Sequence, residues 1–331
     1  MRIGPLDTDE RVVVVAEIGN NHEGDPDVAR ELVRRAAEAG AHGVKLQTFH
    51  TPRFVRPRDE ARFAQLSGYE LAPAVVEELA ELARSLGLAF LSTPLDLASA
   101  DLLAPLVDAY KIASGDNDFL PLLERVGASG KPVIVSTGLV DLEGARAARD
   151  AVARAGAPDV AVLHAVTAYP PPAEEVNLRA ISVLTEQLGG TVGYSDHTLG
   201  ADACLVAVAL GARILEKHFT LDHEHSDFRD HRLSAEPEEL RDLVARVAGV
   251  DAMLGSGEKV VQPAESSIAA AVRRSIAAAR DLPAGHRLEL SDLAWLRPRD
   301  GLAPGEEDRL LGRTLRREVP AGESILEEDV E

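Results

Sequence analysis

Residues 192–220 read VGYSDHTLGADACLVAVALGARILEKHFT. A β-rich run reaches Ser195 and His197, a Gly-containing turn follows, an apolar segment of helical length runs on, and a second β-rich run ends on Glu216 and His218. Strand, turn, helix and strand in so short a span leave room only for a tight βα repeat, which pairs its two strands in parallel. Working outward, six more strand candidates precede this unit: RVVVVAEIG (11–19), GVKLQTF (43–49), LAFLSTP (88–94), AYKIASG (109–115), PVIVSTG (132–138) and VAVLHAV (160–166). TVGYSDH (191–197) and RILEKHF (213–219) complete a set of eight. Amphipathic segments separate them. In DPDVARELVRRAAEAG (25–40), Val28, Leu32, Val33 and Ala36 recur at helical spacing, the start is acidic and Gly40 is a stop. Eight βα units in about 250 residues predict an α/β fold of the TIM (β/α)8 barrel type. A doubly wound open sheet is the competing arrangement.

Composition narrows the function. A chain of 331 residues, 45% hydrophobic and 27% charged, has enough apolar material for one large domain and a small one. Its net charge of −20 argues against nucleic-acid binding, which needs basic stripes against phosphate. No apolar run approaches the roughly 18–20 residues needed to cross a bilayer, and MRIGPLDTDERVVVVAEIG lacks a signal-peptide pattern. A cytoplasmic protein without a membrane or nucleic-acid partner is therefore expected. The one cysteine, Cys204, sits in an apolar run and reads as core.

Every strand ends on polar groups: Glu17; Lys45 and Gln47; Ser92 and Thr93; Lys111 and Ser114; Ser136 and Thr137; His164, Thr167 and Tyr169; Ser195 and His197; Glu216 and His218. In a barrel these gather on the C-terminal face, where barrel enzymes keep their chemistry. Loop polarity alone accounts for single serines and threonines. It accounts poorly for Glu17, Lys45, Lys111 and Glu216, because charges in apolar strands are costly unless paired or used. His197 and His218 cap neighbouring strands about 4.8 Å apart, so their imidazoles can share a divalent metal; the plain alternative is a pair of hydrogen-bonded core histidines. Lys45 and Lys111, ringed by Thr93, Ser114, Ser136 and Ser195, suit a small dianion. A Schiff-base lysine is the alternative, one that a neighbouring metal would make redundant. The run DHEHSDFRDH (222–231) reads first as a solvated loop, and His223, His225 and His231 as extra ligands second.

The stretches AEIGNNHEGD, GVKLQTF, FLSTPLD, YKIASGD, KPVIVSTG, AYPPPAEEVNLRAI, GYSDHTLG and LEKHFTLD, in this order, cover most of the chain and resemble the sialic acid synthase family. The resemblance implies condensation of phosphoenolpyruvate with an aldose to a nonulosonic acid. It also implies a divalent metal, manganese or magnesium, on His197 and His218. Phosphoenolpyruvate would lie on Lys45, Thr93, Lys111, Ser114, Ser136, Thr167 and Ser195, with Glu17 as base. The sugar would meet Gln47, Tyr169, Glu216 and Asp230. Where the family carries polar residues after the sixth strand, this chain has Ala165 and Val166, and HTPRFVRPRDEARFAQLSGYELAP (50–73) is shorter than the usual excursion there. The sugar side thus differs more than the phosphoenolpyruvate side, and the acceptor is not fixed as N-acetylmannosamine. A non-catalytic sugar- or anion-binding barrel and a metal-dependent aldolase that ignores phosphoenolpyruvate are the alternatives.

The periodicity changes after GSGEKVVQPAE (255–265), and LPAGHRLELSDL (282–293) is echoed by VPAGESILEEDV (319–330). The expected layout is a barrel over 1–250, a linker over 251–271 and a small β-rich domain over 272–331. That last part resembles the antifreeze-like (SAF) domain of the same family. The resemblance implies a domain-swapped homodimer in which Arg297, from WLRPRDGL, reaches the partner's sugar.

Overall fold

The computed structural model describes residues 1–331, which form two units, Met1–Gly255 and Ser256–Glu331. The first is a closed parallel barrel: β1 Val13–Gly19, β2 Gly43–Thr48, β3 Ala89–Pro94, β4 Ala109–Ile112, β5 Val133–Ser136, β6 Val160–Ala165, β7 Val192–Asp196 and β8 Ile214–His218. All eight expected strands are present, and β8 pairs with both β7 and β1, which excludes the open sheet. A helix follows each strand: α1 Pro26–Glu38, α2 Pro73–Ser85, α3 Leu97–Leu103, α4 Leu120–Gly127, α5 Leu142–Ala155, α6 Ala180–Leu188, α7 Asp202–Ala209 and α8 Pro237–Leu254. No helix is long and apolar enough to cross a membrane.

Local sequence explains these elements. Asp25 caps α1, its carboxylate accepting from the Asp27 and Val28 amides, and Pro26 occupies the first turn, where no amide partner is needed. The buried face of α1 is Ala29, Leu32, Val33 and Ala36; Val28 is only half-buried. Gly40 ends the segment at φ +86°, a conformation that costs other residues more.

Strand alternation then sorts the barrel into layers. Val13, Val15, Leu91, Ala109, Ile134, Leu163 and Ile214 point inward and, with Met1 and Ile3, fill the lower interior. Their neighbours Val14, Ala16, Phe90, Tyr110, Val135 and Leu215 pack against the helices. Two residues further along most inward rows, the apolar floor gives way to polar residues, among them Glu17, Lys111, Ser136, Ser195 and Glu216. The strand period of two therefore carries the polar layer onto the floor without any loop.

In the second unit, β9 Ser275–Ala278 pairs with β10 Leu293–Leu296 in antiparallel fashion. The near-repeat is structural: Leu282 and Val319, the first residue of each copy, exchange both backbone hydrogen bonds at 2.9 Å. Each copy ends in a one-turn 3-10 helix, at Leu290–Asp292 and Glu327–Asp329, whose final aspartate meets an arginine, Arg280 on Asp292 at 2.6 Å and Arg317 on Asp329 at 2.5 Å. Leu288 and Ile325 fill equivalent places in its core.

Candidate active site

The C-terminal mouth of the barrel holds a cavity of about 900 Å³. Four buried charges lie at its base. Lys45 Nζ is 2.9 Å from Glu17 Oε2, 3.5 Å from Glu216 Oε1, and donates to Thr93 Oγ1 at 3.2 Å. Lys111 Nζ is 3.6 Å from that same Glu216 oxygen, which also accepts the Ser195 hydroxyl at 2.9 Å. The carboxylate of Glu216 stands between two lysines. Barrel closure causes this: β8 lies between β7 and β1, with Glu216 opposite Ser195 on one side and Val15 on the other.

The electrostatics follow from burial against pairing. Burial pushes Glu17 up to about 7, further than Lys45 pulls it down. Burial also lowers Lys111 to about 8, against the pull of Glu216. For Glu216 burial is outweighed by Lys111 and Lys45, which hold it at about 2. One carboxylate in the cluster is fixed as an anion while its neighbour is poised to exchange a proton near neutrality.

Above these charges the His197 and His218 rings lie 5.4 Å apart, centre to centre. His197 Nδ1 lies 2.7 Å from the Val166 carbonyl, so its proton sits there and Nε2 keeps a free lone pair. His218 is buried with Nδ1 unpartnered and 3.9 Å from Asp230 Oδ2. Burial holds both rings below the usual imidazole range, and for His218 the neighbouring His197 adds to the effect. Two neighbouring neutral imidazoles, one with an orphaned nitrogen, suit a divalent cation. The Tyr169 ring lies 4.2 Å from that of His197 at a tilt of 36°, and the Arg229 guanidinium covers the tyrosine ring at 4.7 Å.

The lining brings together Glu17, Lys45, Gln47, Lys111, Ser114, Ser136, Thr167, Tyr169, Ser195, His197, Glu216, His218 and Asp230. Thr93 joins through its bond from Lys45. Ser136 Oγ is buried without a partner, an unmet hydrogen bond aimed at a ligand. Gly138 lets Ser114 and Thr167 close over this point: an added Cβ would lie 2.4 Å from Thr167 Oγ1 and 2.6 Å from Ser114 Oγ. Arg297 lies in the other unit, where it is exposed.

Two readings of the sequence need correction. His164 does not line the cavity; it stacks on Tyr194 and bonds the Val176 carbonyl, because alternation on β6 turns it toward the helices. The 222–231 run is not uniformly solvated, since His231 is 0% exposed. Sequence reasoning also missed Asn20, which donates to Gln47 at 2.9 Å, and the lining residues Arg62 and Gln65 on the helix Glu60–Tyr69. That helix is part of the shortened excursion after β2, and no strand-end signal marks it.

The NeuB family model matches residues 32–259, and the SAF domain model matches residues 273–331. The chain belongs to the NeuB family. Among NeuB relatives, an uncharacterized protein of Methanocaldococcus jannaschii is 41% identical over 97% of this chain and 95% of its own length. The N,N'-diacetyllegionaminic acid synthase of Legionella pneumophila subsp. pneumophila is 38% identical over 99% and 97%. Among solved structures, the N-acetylneuraminic acid (sialic acid) synthetase of Leptospira borgpetersenii in complex with citrate superposes with a TM-score of 0.76 at 31% identity, covering 81% of this chain and 94% of that one. The similarity to the two sequence relatives spans both units, and the two relatives named as synthases differ in the product named.

Proposed function

We propose that the protein is a nonulosonic acid synthase that joins phosphoenolpyruvate to the aldehyde carbon of an aldose, N-acetylmannosamine-like or otherwise modified. The observation that carries this reading is the base of the cavity: two buried lysines and a set of inward hydroxyls, one of them unpartnered, around a space of small-molecule size. Phosphate and carboxylate on one small molecule call for such paired cations with hydroxyl donors. Lys45, Lys111, Thr93, Ser114, Ser136, Thr167 and Ser195 hold that substrate. Gln47, Tyr169, Glu216 and Asp230 orient the aldose.

In the reaction, C3 of phosphoenolpyruvate bonds to the aldehyde carbon and water adds at C2, with Glu17 taking a proton from the water. The C2–O bond to phosphate then breaks and phosphate leaves with its bridging oxygen. Of the two protons from the water, one ends on the new hydroxyl and the other on phosphate. Lys111 and Lys45 stabilise the negative charge held at the cavity base throughout. His197 and His218 would hold a divalent ion, manganese or magnesium, whose chemistry when bound is Lewis-acid polarisation of the aldehyde oxygen. Arg297 of a second copy completes the sugar site in a homodimer, a reading supported by the SAF match and by the exposed arginine.

Phosphate release from phosphoenolpyruvate, measured with a panel of free and phosphorylated aldoses with and without manganese, tests the proposal. Release that needs both the sugar and the metal is expected. No release with any aldose, together with no binding of phosphoenolpyruvate, rejects the reading. Mixing Arg297→Ala with His218→Ala should restore part of the activity, and a mixture as inactive as its parts rejects the shared site.

A further inference from the structure

Glu23, His225 and His231 bring their ligating atoms within 4.8 Å of one another, and none of the three lines the catalytic cavity. Glu23 lies in the turn after β1, held at φ +45°, a region that few residues other than glycine occupy. The histidines lie in the loop between β8 and α8.

Both ring nitrogens of His231 have partners. The Thr220 hydroxyl lies 3.1 Å from the Asp222 carbonyl and 2.7 Å from His231 Nδ1, so its one proton can go to either acceptor. When that proton goes to the carbonyl, the ring proton is on Nδ1 and Nε2 carries a lone pair. That lone pair faces Glu23 Oε1 at 3.0 Å, an oxygen that already accepts the Ser226 hydroxyl. In that arrangement two acceptors face each other, and the gap between them suits a metal ion.

A third donor stands beside this gap. The His225 ring stands 5.1 Å from that of His231, is exposed, and makes no hydrogen bond of its own. A shared proton needs only two partners and gives this third imidazole nothing to do. We propose that Glu23, His225 and His231 form a binding site for a divalent transition metal of the zinc class, separate from the His197–His218 pair. Two imidazoles and one carboxylate, with water at a fourth position, are a donor set for such ions. Tetrahedral bonds of about 2.0–2.1 Å set donor atoms about 3.4 Å apart, close to the spacing of His231 and Glu23. The exposed His225 closes the remaining gap by rotating its side chain, and its exposure gives the ion a way in. Thr220 behind His231 and Ser226 behind Glu23 orient the ligands from outside.

The bound ion would clasp the β8–α8 loop to the turn after β1. That loop carries Asp227, Phe228, Arg229 and Asp230 into the cavity lining. Tyr69 reinforces the clasp, its hydroxyl donating to Glu23 Oε2 at 3.3 Å and its ring meeting Phe228 edge-on at 5.3 Å.

The test is zinc titration by calorimetry on the full-length, chelator-stripped His197→Gln/His218→Gln variant, repeated with cobalt to read its visible absorption. One equivalent of zinc is expected, and adding His225→Ala should weaken it at least tenfold and abolish the cobalt bands. If the double variant does not fold, the same site is read in the wild-type background, where His225→Ala alone should remove one equivalent. A folded double variant that binds no zinc, or binding indifferent to His225→Ala, overturns the proposal and leaves a hydrogen-bonded imidazole–carboxylate pair.

Discussion

The base of the cavity and its rim are built on different principles. Glu17, Lys45, Lys111, Ser195 and Glu216 sit on strands, each two residues beyond an inward apolar or glycine position, and their neighbours are set by β-ladder register. Arg62, Gln65, Arg229 and Asp230 come from a helix and a loop whose positions depend on contacts such as Tyr69 against Phe228. Rigid strands suit charges that must be held buried and paired, because a small displacement there would leave an ion without its partner. Loops suit the part of the site that differs from one acceptor to another.

The difference predicts a gradient of effects. The largest should follow Lys111→Met, which removes one of the two cations on Glu216. We expect kcat/KM for phosphoenolpyruvate to fall by about 10³, the scale for losing a preorganised electrostatic contact. A loss under tenfold would show that the strand-borne charges are not the reacting ones. Next, chelation should abolish phosphate release and manganese should restore it, while His197→Gln should weaken manganese binding by more than the roughly 10–100-fold typical of losing an outer partner of a ligand, yet leave phosphoenolpyruvate binding intact, as equilibrium titration can show.

The pH profile comes third. Glu17 can accept a proton only when ionised, so kcat/KM should rise with pH up to about 7; Lys111 loses its charge as pH rises past about 8, so kcat/KM should then fall. Glu17→Gln should lower the maximum and remove the acid limb. An unchanged acid limb in that variant would assign it to another group.

Gly138→Ala should act more mildly, wedging a methyl between Ser114 and Thr167. Overpacking of about 1–3 kcal/mol should appear as a raised KM for phosphoenolpyruvate and a lower Tm. Smallest of all, Arg229→Ala on the rim should raise the acceptor KM about tenfold or less with kcat nearly kept. A collapse of kcat there would erase the distinction between base and rim.

Much of the base was legible in the sequence for a local reason. A strand that alternates Val13, Val15, Glu17 announces both its inward face and the point where that face turns polar. The rim offered no such period. Arg62 and Gln65 sit on a helix with no buried residue, and the burial of His231 beneath a charged run depends on Thr220 and Glu23, the latter 208 positions away in the chain. His164 shows the limit of the strand rule: being polar near a strand end did not tell which way its side chain faced.

By itself, then, the sequence determined the eight βα units, the apolar floor and the residue types above it, because alternation, turn chemistry and caps act over a few neighbouring positions. Tertiary structure alone decided that Glu216 stands between Lys45 and Lys111, that His231 is buried against Glu23, and which loop residues reach the cavity. Closing the barrel brings the last strand beside the first, and contacts made across so much chain are set by the shape of the ring rather than by any local pattern.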